Sequence, residues 1–569
     1  MAAKTRFLVG LLVRLTMRSA RAVLLLAFCA VAVALVTMSS RDVSALSSTA
    51  SPSGSTTLFL PLFIRPPLPS MTQFGFDFIS SAESPAQEVR YQRAQAVRQQ
   101  WNRWPFYWPS IETDAAGHPG VYDWSKQDAN TVSDINHGLA IDAILMLTPG
   151  SISTSGSTSA PMPRVGLAPR FATQPMDVSA ASSTTSPPQG LGLPVFSDGT
   201  DVPGPGKQIN QSNPWARFVF AAVNRYRPGG VLAQQQGWTQ AQGIRVWEIW
   251  NEPDFDFFFL GSPTDYARLL KVAHLAARQA DPKAKILFGG KANFQKPNWL
   301  ADTLGVIATY PDRAGSGWFF EGVATHWYSS SPDTLRQLVA DRQALDRFGL
   351  SEKTLWLNET GVPVWDDPPG PTWDPHSPYR ATMQEQAAYV IQTMTWAIWM
   401  RAEAALYFQE YDDYGNGCPG ADAFGLNRNL PSAGCNPGDG SARPGYYAYG
   451  VVTQYLSGTL PYWRLRPTAN LELVTLQNPN TQQRIVVMWT RYNAAETVTL
   501  AATALSATLV LPEGATQAIT PLGGVYNITL PAATNYNSCF SCAEASIGGM
   551  PRILVEKDLA ILPAGYDAQ

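Results

Sequence analysis

Two glutamates carry the residue types and neighbours that could do bond-cleaving chemistry. The first lies in Trp247-Glu248-Ile249-Trp250-Asn251-Glu252-Pro253-Asp254. An aromatic and β-branched run ends there in Asn-Glu-Pro-Asp. Pro253 cannot donate to a sheet ladder, so the strand must stop at that point. The second lies in Thr354-Leu355-Trp356-Leu357-Asn358-Glu359-Thr360-Gly361, another apolar strand ending in a carboxylate. A carboxyl group under aromatic cover has its pKa raised and can donate a proton. A carboxylate that accepts bonds from Arg and Tyr is expected to have its pKa lowered and to stay charged. Glycosidic bond cleavage needs such a pair, and a separation of about 5–5.5 Å gives retention of the anomeric configuration.

Both glutamates must be positioned by a larger frame, and the pattern from Gln73 onward supplies one. Strand readings at Phe74–Phe78, Trp101–Trp108, Ile141–Leu147, the run from Trp247 that breaks at Pro253, Ile286–Gly290, Val323–Tyr328, Leu355–Glu359 and Ala404–Phe408 alternate with helix readings. The clearest helices are Trp215–Tyr226, Tyr266–Gln279, Asp333–Phe348 and Gln384–Met400. Eight strands with intervening helices predict a (β/α)8 TIM barrel, whose reactive groups sit at the C-terminal strand ends. Both glutamates fall there. Residues 72–455 form this barrel, interrupted at about 150–212 by a Ser/Thr/Pro/Gly-rich insertion without periodicity. The phenylalanine run Phe257-Phe258-Phe259 beyond Glu252 is costly to expose and is expected to pack under that insertion. After residue 456 the chain turns to short alternating segments with Gly and Pro turns, which predicts an all-β sandwich over 456–569.

Four of these segments together resemble glycoside hydrolase clan A. They are Asn251-Glu252-Pro253, Asn358-Glu359, Asn102-Arg103-Trp104-Pro105-Phe106-Tyr107-Trp108 and Thr325-His326-Trp327-Tyr328. The Trp-x-x-Trp-Asn-Glu-Pro-Asp version, with a β-sandwich after the barrel, is closest in pattern to family 39 and related unclassified members. The resemblance implies a retaining glycosidase working by double displacement. Glu252 would be the general acid and then the base, and Glu359 the nucleophile. Asn251 would bond the sugar 2-hydroxyl, Arg103 and Tyr328 would hold Glu359 ionised, and His326 would line the same site. Arg103 also has Glu248 as a candidate partner, because alternation puts Glu248 on the face of Glu252 and a buried Glu wants a cation. Trp108, Trp327 and Trp365 are candidate sugar-stacking residues, with wall packing as the other reading. The expected partner is an oligosaccharide, polysaccharide or glycoside, with a neutral β-xyloside or β-glucoside as the plain choice. No metal or cofactor is implied. The competing reading is a non-catalytic carbohydrate-binding or cell-surface protein on a degenerate barrel.

Charge and composition narrow the rest. A net charge of -3 lacks the basic face that nucleic-acid binding wants. Lys4, Arg6, Arg14, Arg18 and Arg21 precede an uncharged run from Ala22 to Met38, followed by Val43-Ser44-Ala45. Residues 1–45 therefore read as a signal peptide of a secreted protein, with an uncleaved anchor on the outer face of the cytoplasmic membrane as the alternative. Residues 46–71 read as a Ser/Thr/Pro-rich linker. Cys418, Cys435, Cys539 and Cys542 would follow the leader as an even number, suggesting local disulfides Cys418–Cys435 and Cys539–Cys542. A zinc site of all four cysteines is the rival arrangement.

Overall fold

The computed structural model describes residues 71–82, 87–155, 184–367, 379–413, 423–434, 437–536 and 544–557. Residues 1–70, which hold the expected leader and nearly all of the expected linker, the middle of the 150–212 insertion and all four cysteines lie outside these residues. Eight parallel strands close a barrel in chain order: β1 (Gln73–Asp77), β2 (Trp101–Tyr107), β3 (Ala140–Met146), β4 (Val246–Ile249), β5 (Lys285–Lys291), β6 (Gly322–Tyr328), β7 (Thr354–Gly361) and β8 (Ala404–Tyr407). Helices lie between the strands, as the sequence predicts. The strands of a barrel are covered by helices outside and by one another inside, so β2 and β4 are buried at every position. Two of the long helices start with full capping boxes, Ser262 with Asp265 and Thr382 with Glu385, which satisfy backbone donors that the first turn leaves open.

One irregularity bears on the site. The β6–β7 register pairs Thr325 with Leu357 and then His326 with Glu359, so Asn358 is an extra residue in β7. Such a bulge breaks strict alternation. It is the reason Asn358 and Glu359, adjacent in sequence, both reach into the barrel.

The described parts of the insertion are built onto the barrel. Within it, Ser153 bridges Pro188 and Phe196 bridges Ile209; to the barrel, Thr148 N–H donates to Thr184 O at 2.8 Å and Leu260 N–H to Thr185 O at 3.0 Å. Phe258 and Phe259 are fully buried and Phe257 half-buried; the rings packed on Phe259 are Trp250, Tyr266 and Trp299 of the barrel.

Eight antiparallel strands follow: β9 (Leu460–Leu465), β10 (Leu471–Asn478), β11 (Gln483–Thr490), β12 (Glu496–Ala501), β13 (Ala507–Val510), β14 (Thr516–Ile519), β15 (Val525–Leu530) and β16 (Arg552–Glu556). Six form one sheet in the order β14-β13-β16-β11-β10-β9, while β12 and β15 pair separately. The six-stranded sheet is apolar on both faces. Val474, Leu476, Ile485, Val487, Ile553 and Val555 join the core of the barrel. Leu471, Leu473, Val486, Met488 and Leu554 pack toward the β12–β15 pair. The barrel helix Met383–Trp399 meets this sheet directly, with Trp396 and Trp489 edge to face at 5.1 Å.

Candidate active site

Strand β4 ends in strained backbone that fixes Glu252. Trp250 and Glu252 have φ of 69° and 44°, a region that non-glycine residues occupy at a cost of about 1–3 kcal/mol each. The Glu252 N–H donates to Gly290 O at 2.7 Å, and Trp250 Nε1 donates to Phe258 O at 2.8 Å. Gly290 must itself be glycine, since a Cβ there would lie 1.9 Å from His326 Nε2. Glu252 and Glu359 are 3% and 2% exposed, so any ring that reaches them sits in a nearly dry site.

Arg103, at the third position of β2, ties the site together. Its Nε and Nη2 donate to the two Glu248 oxygens at 2.7 and 3.1 Å. Nη1 donates to Glu359 Oε1 at 2.5 Å and to Asp77 Oδ1 at 3.2 Å, and Nη2 also donates to Asn251 Oδ1 at 2.9 Å. The two pairings expected for Arg103 therefore hold at once. Tyr328 OH donates to the other Glu359 oxygen at 2.5 Å. Phe408 and Phe424 flank the Tyr328 ring edge to face. Asn358 donates to Glu248 at 2.9 Å and to Asp142 at 3.3 Å.

His326 stands between the two glutamates, with Nδ1 at 2.9 Å from Glu252 Oε1 and 3.3 Å from Glu359 Oε2. Burial, Arg103 and Lys291 push its pKa well below the ordinary value, so the imidazole is neutral. Its Nε2 faces the Arg103 Nη2 donor at 3.4 Å. That face requires an acceptor, which assigns the proton to Nδ1. Nδ1–H then donates toward Glu252 Oε1. The other oxygen, Oε2, is buried and has no partner among the described residues. Asn251 Nδ2 is likewise buried and unpartnered among the described residues. An acid's proton on Glu252 Oε2 and an amide donor on Asn251 are thus both free to meet a ligand.

Electrostatics separate the two carboxyls, though not in the way the sequence suggests. Burial, and then the charge of Glu359, push Glu252 well above the ordinary carboxylate range. Glu359, expected below that range, lies above it. Complete desolvation outweighs the opposing pull of Arg103 and of the Tyr328 and Arg103 hydrogen bonds. Glu359 alone of the two has those stabilising donors.

Five carboxyls (Asp77, Asp142, Glu248, Glu252 and Glu359) gather round one guanidinium, so the cluster must hold protons. Asp77 is pushed well up by burial. Asp142, 3.7 Å from Arg103, is pushed up to about 8 by burial and by Glu248. Asp142 titrates near 3.9 in an unfolded chain, so between the two values the folded state holds a proton that the unfolded state has lost. Its contribution is fully present below pH of about 4 and is lost as pH rises through about 8. Asp142→Asn mimics the protonated acid. It is expected to flatten the fall of melting temperature between roughly pH 5 and 8, read by thermal unfolding across that range. An unchanged slope would remove Asp142 from the account.

The aromatic candidates divide. Trp108 is not a stacking platform. β2 ends at Tyr107, and Trp108 opens a short helix with its ring fully buried against Trp215 and Phe218. Its Nε1 donates to Glu112 at 2.6 Å. Trp327 is half-buried and lies on the opposite face of β6 from His326 and Tyr328. Trp365 is half-buried in the segment after β7, where its N–H donates to Ala381 O at 3.1 Å. Neither makes a hydrogen bond to the glutamates among the described residues. Asp77 and Asp142 are the site residues that sequence reasoning missed. Each is a lone acid in an otherwise buried strand, a signal that calls for a buried partner. For a metal, Glu252, His326 and Glu359 each offer one ligand atom, all within 4.8 Å of one another.

No protein-family model matches this chain, and no curated protein does. Solved structures do match in fold. A family 39 glycoside hydrolase from Bacteroides cellulosilyticus WH2 is 15% identical, with a TM-score of 0.54 over 86% of this chain and 81% of its own. A glucosidase from Croceicoccus marinus is 13% identical, with a TM-score of 0.52 over 87% and 98%. A GH30 endoxylanase from Clostridium papyrosolvens C71 is 12% identical, with a TM-score of 0.51 over 86% and 98%. At these identities the likeness establishes the barrel-plus-sheet architecture shared with glycoside hydrolases.

Proposed function

We propose that this chain is an exported retaining glycoside hydrolase that cleaves O-glycosidic bonds by a two-glutamate double displacement. The observation that carries this reading is the pair of buried carboxyls in unlike surroundings, facing each other across His326. Glu252 presents an unpartnered oxygen and is pushed strongly toward its protonated form. Glu359 is gripped by Arg103 and Tyr328. Glu252 would protonate the leaving oxygen while Glu359 attacks the anomeric carbon, forming a glycosyl-enzyme. Glu252, now ionised, would take a proton from the incoming water, and the C–O bond to Glu359 would break. Candidate oxygens within 4.8 Å of each other suit direct attack better than the wider gap that inversion needs to house a water. Asn251 Nδ2, buried and without a partner among the described residues, would bond a hydroxyl of the ring.

The sugar at this site is taken to be neutral and β-linked, of xyloside or glucoside type. Around the glutamates the described cations are already paired: Arg103 with four acids and Lys291 with Asp341. A carboxylated ring would meet five acids and no free cation. The basic and apolar stretch within residues 1–45 supports export. Among the described residues no helix is long and apolar enough to cross a membrane. Proton NMR of the first product formed from a nitrophenyl glycoside tests the mechanism, with a panel of such glycosides and plant polysaccharides testing the substrate. The expected product has the anomeric configuration of the substrate. An inverted first product would overturn double displacement.

A further inference from the structure

A second cavity lies away from the strand ends, between the barrel and the six-stranded sheet. It has a volume of about 400 Å³, inside the range of small-ligand sites and large enough for one or two sugar rings. One wall is apolar, formed by Leu335, Val339 and Trp396 of the barrel with Trp489 of β11. The other is basic. Arg464 and Arg466 come from β9 and the residues after it, Arg491 follows β11, and Arg336 comes from the helix Ser331–Arg347.

The charges in this cavity do not balance. Glu472, 1% exposed, accepts from Arg464 at 2.6 and 2.9 Å and from Arg466 at 2.7 Å. Glu544 accepts from Arg491 at 2.7 Å and from Arg336 at 2.9 Å. Two lining carboxylates thus serve four guanidiniums. Only Arg336 has a further acid, Asp333, as a partner. Arg464 Nη1, both Nη atoms of Arg466 and Arg491 Nη2 donate to no acceptor among the described residues. The Arg464 guanidinium carbon also lies over the Trp396 ring, 4.7 Å from its centroid. A guanidinium pinned by its Nε side to a buried acid, with its outer N–H groups free, is preorganised to take a planar anion edge-on. The neighbouring apolar wall suits the carbon face of a ring rather than a bare ion.

We propose that this cavity is a binding site for a carboxylated saccharide, a uronate of one or two rings, distinct from the catalytic pocket. The carboxylate would lie on Arg466 and Arg491, and the ring would lie toward Leu335 and Val339. The two sites differ in sign: five acids surround the glutamates, whereas arginines outnumber acids here. A polymer with a neutral backbone and acidic branches would be matched by both.

Calorimetric titration of the full chain with methyl β-D-glucuronide, methyl β-D-glucoside and sodium sulfate tests this, with Arg466→Gln as the variant. Arg466 is a sparing choice, because Arg464 still satisfies Glu472. The glucuronide should bind at least about tenfold more tightly than the glucoside and weaken as salt rises. Arg466→Gln should lower its affinity by about tenfold, the loss of one charged hydrogen-bonding group. Turnover of a nitrophenyl glycoside should be unchanged in that variant. Equal affinity for glucuronide and glucoside would overturn the proposal, as would glucuronide binding unaffected by Arg466→Gln. Sulfate binding as tightly as the glucuronide would reduce the site to a plain anion site and overturn the saccharide claim. Because binding is read without turnover, an inactive protein that still binds glucuronide through Arg466 would leave this site standing and fail only the catalytic proposal.

Discussion

Glu359→Ala is expected to lower kcat on a nitrophenyl β-glycoside by on the order of 10⁵-fold, the scale seen when a covalent nucleophile is removed. The side chain is buried, and its truncation leaves a space beside the anomeric carbon. Azide should enter that space and restore part of the turnover, giving a glycosyl azide of inverted configuration. Glu252→Ala should behave differently. Nitrophenol leaves without needing a proton, so the first step survives. The second step lacks its base, so the glycosyl-enzyme accumulates and KM falls with kcat. Azide should accelerate this variant too, attacking the glycosyl-enzyme to give a product of retained configuration. Opposite azide products from the two variants would assign the two roles independently. Near-normal turnover in Glu359→Ala, or the same anomer from both, would sink the assignment.

Arg103→Met should cost both stability and activity. The guanidinium is fully buried and supplies the strong bonds to Glu248, Glu359, Asp77 and Asn251. Removing one partner of a buried ionic group typically costs about 3–5 kcal/mol, because the remaining charges lose their compensation. Here the acids left behind would take up protons, so the loss should be larger at high pH than at low pH. Lysine cannot substitute, since one ammonium cannot span the four acceptors that the planar fork reaches. Urea unfolding at two pH values checks the stability claim, and kcat/KM checks the activity. A variant within about 1 kcal/mol of wild type at neutral pH, the range of an exposed ion pair, would refute this role.

Much of the frame was legible because barrel strands read as short apolar runs and because two of them end in Glu. All eight barrel strands and the main helices lie within a few residues of their expected places. The misreadings share a physical cause: a one-dimensional pattern does not show where alternation breaks. Trp108 looked like the aromatic tip of a strand, but Pro109 follows it, and the chain turns into a helix that carries the ring inward. Strict alternation would turn Asn358 outward beside Glu359, whereas the bulge in β7 brings both inside. Glu359 looked as though Arg103 and Tyr328 would keep its pKa low, but its complete burial, and then the sharing of that cation with Glu248, are properties of the closed barrel. Two strands of the sandwich carry little pattern to read. β14 is largely exposed and so has no apolar signature, and β9 carries a proline and exposed residues at the sheet edge.

The doubly apolar sheet has a consequence for how the chain may be divided. An accessory module joined by a linker can be removed, shuffled or replaced without harm to its neighbour. This one is not such a module, because β10, β11 and β16 bury one apolar face against the outside of the barrel, at the helix Met383–Trp399, and leave the β12–β15 pair to cover their far side. A cut near residue 456 would uncover Trp396 and the backbone groups of Gly548 and Gly549 that Gln392 now satisfies. The two folds are therefore expected to melt, to be inherited and to be engineered as one unit.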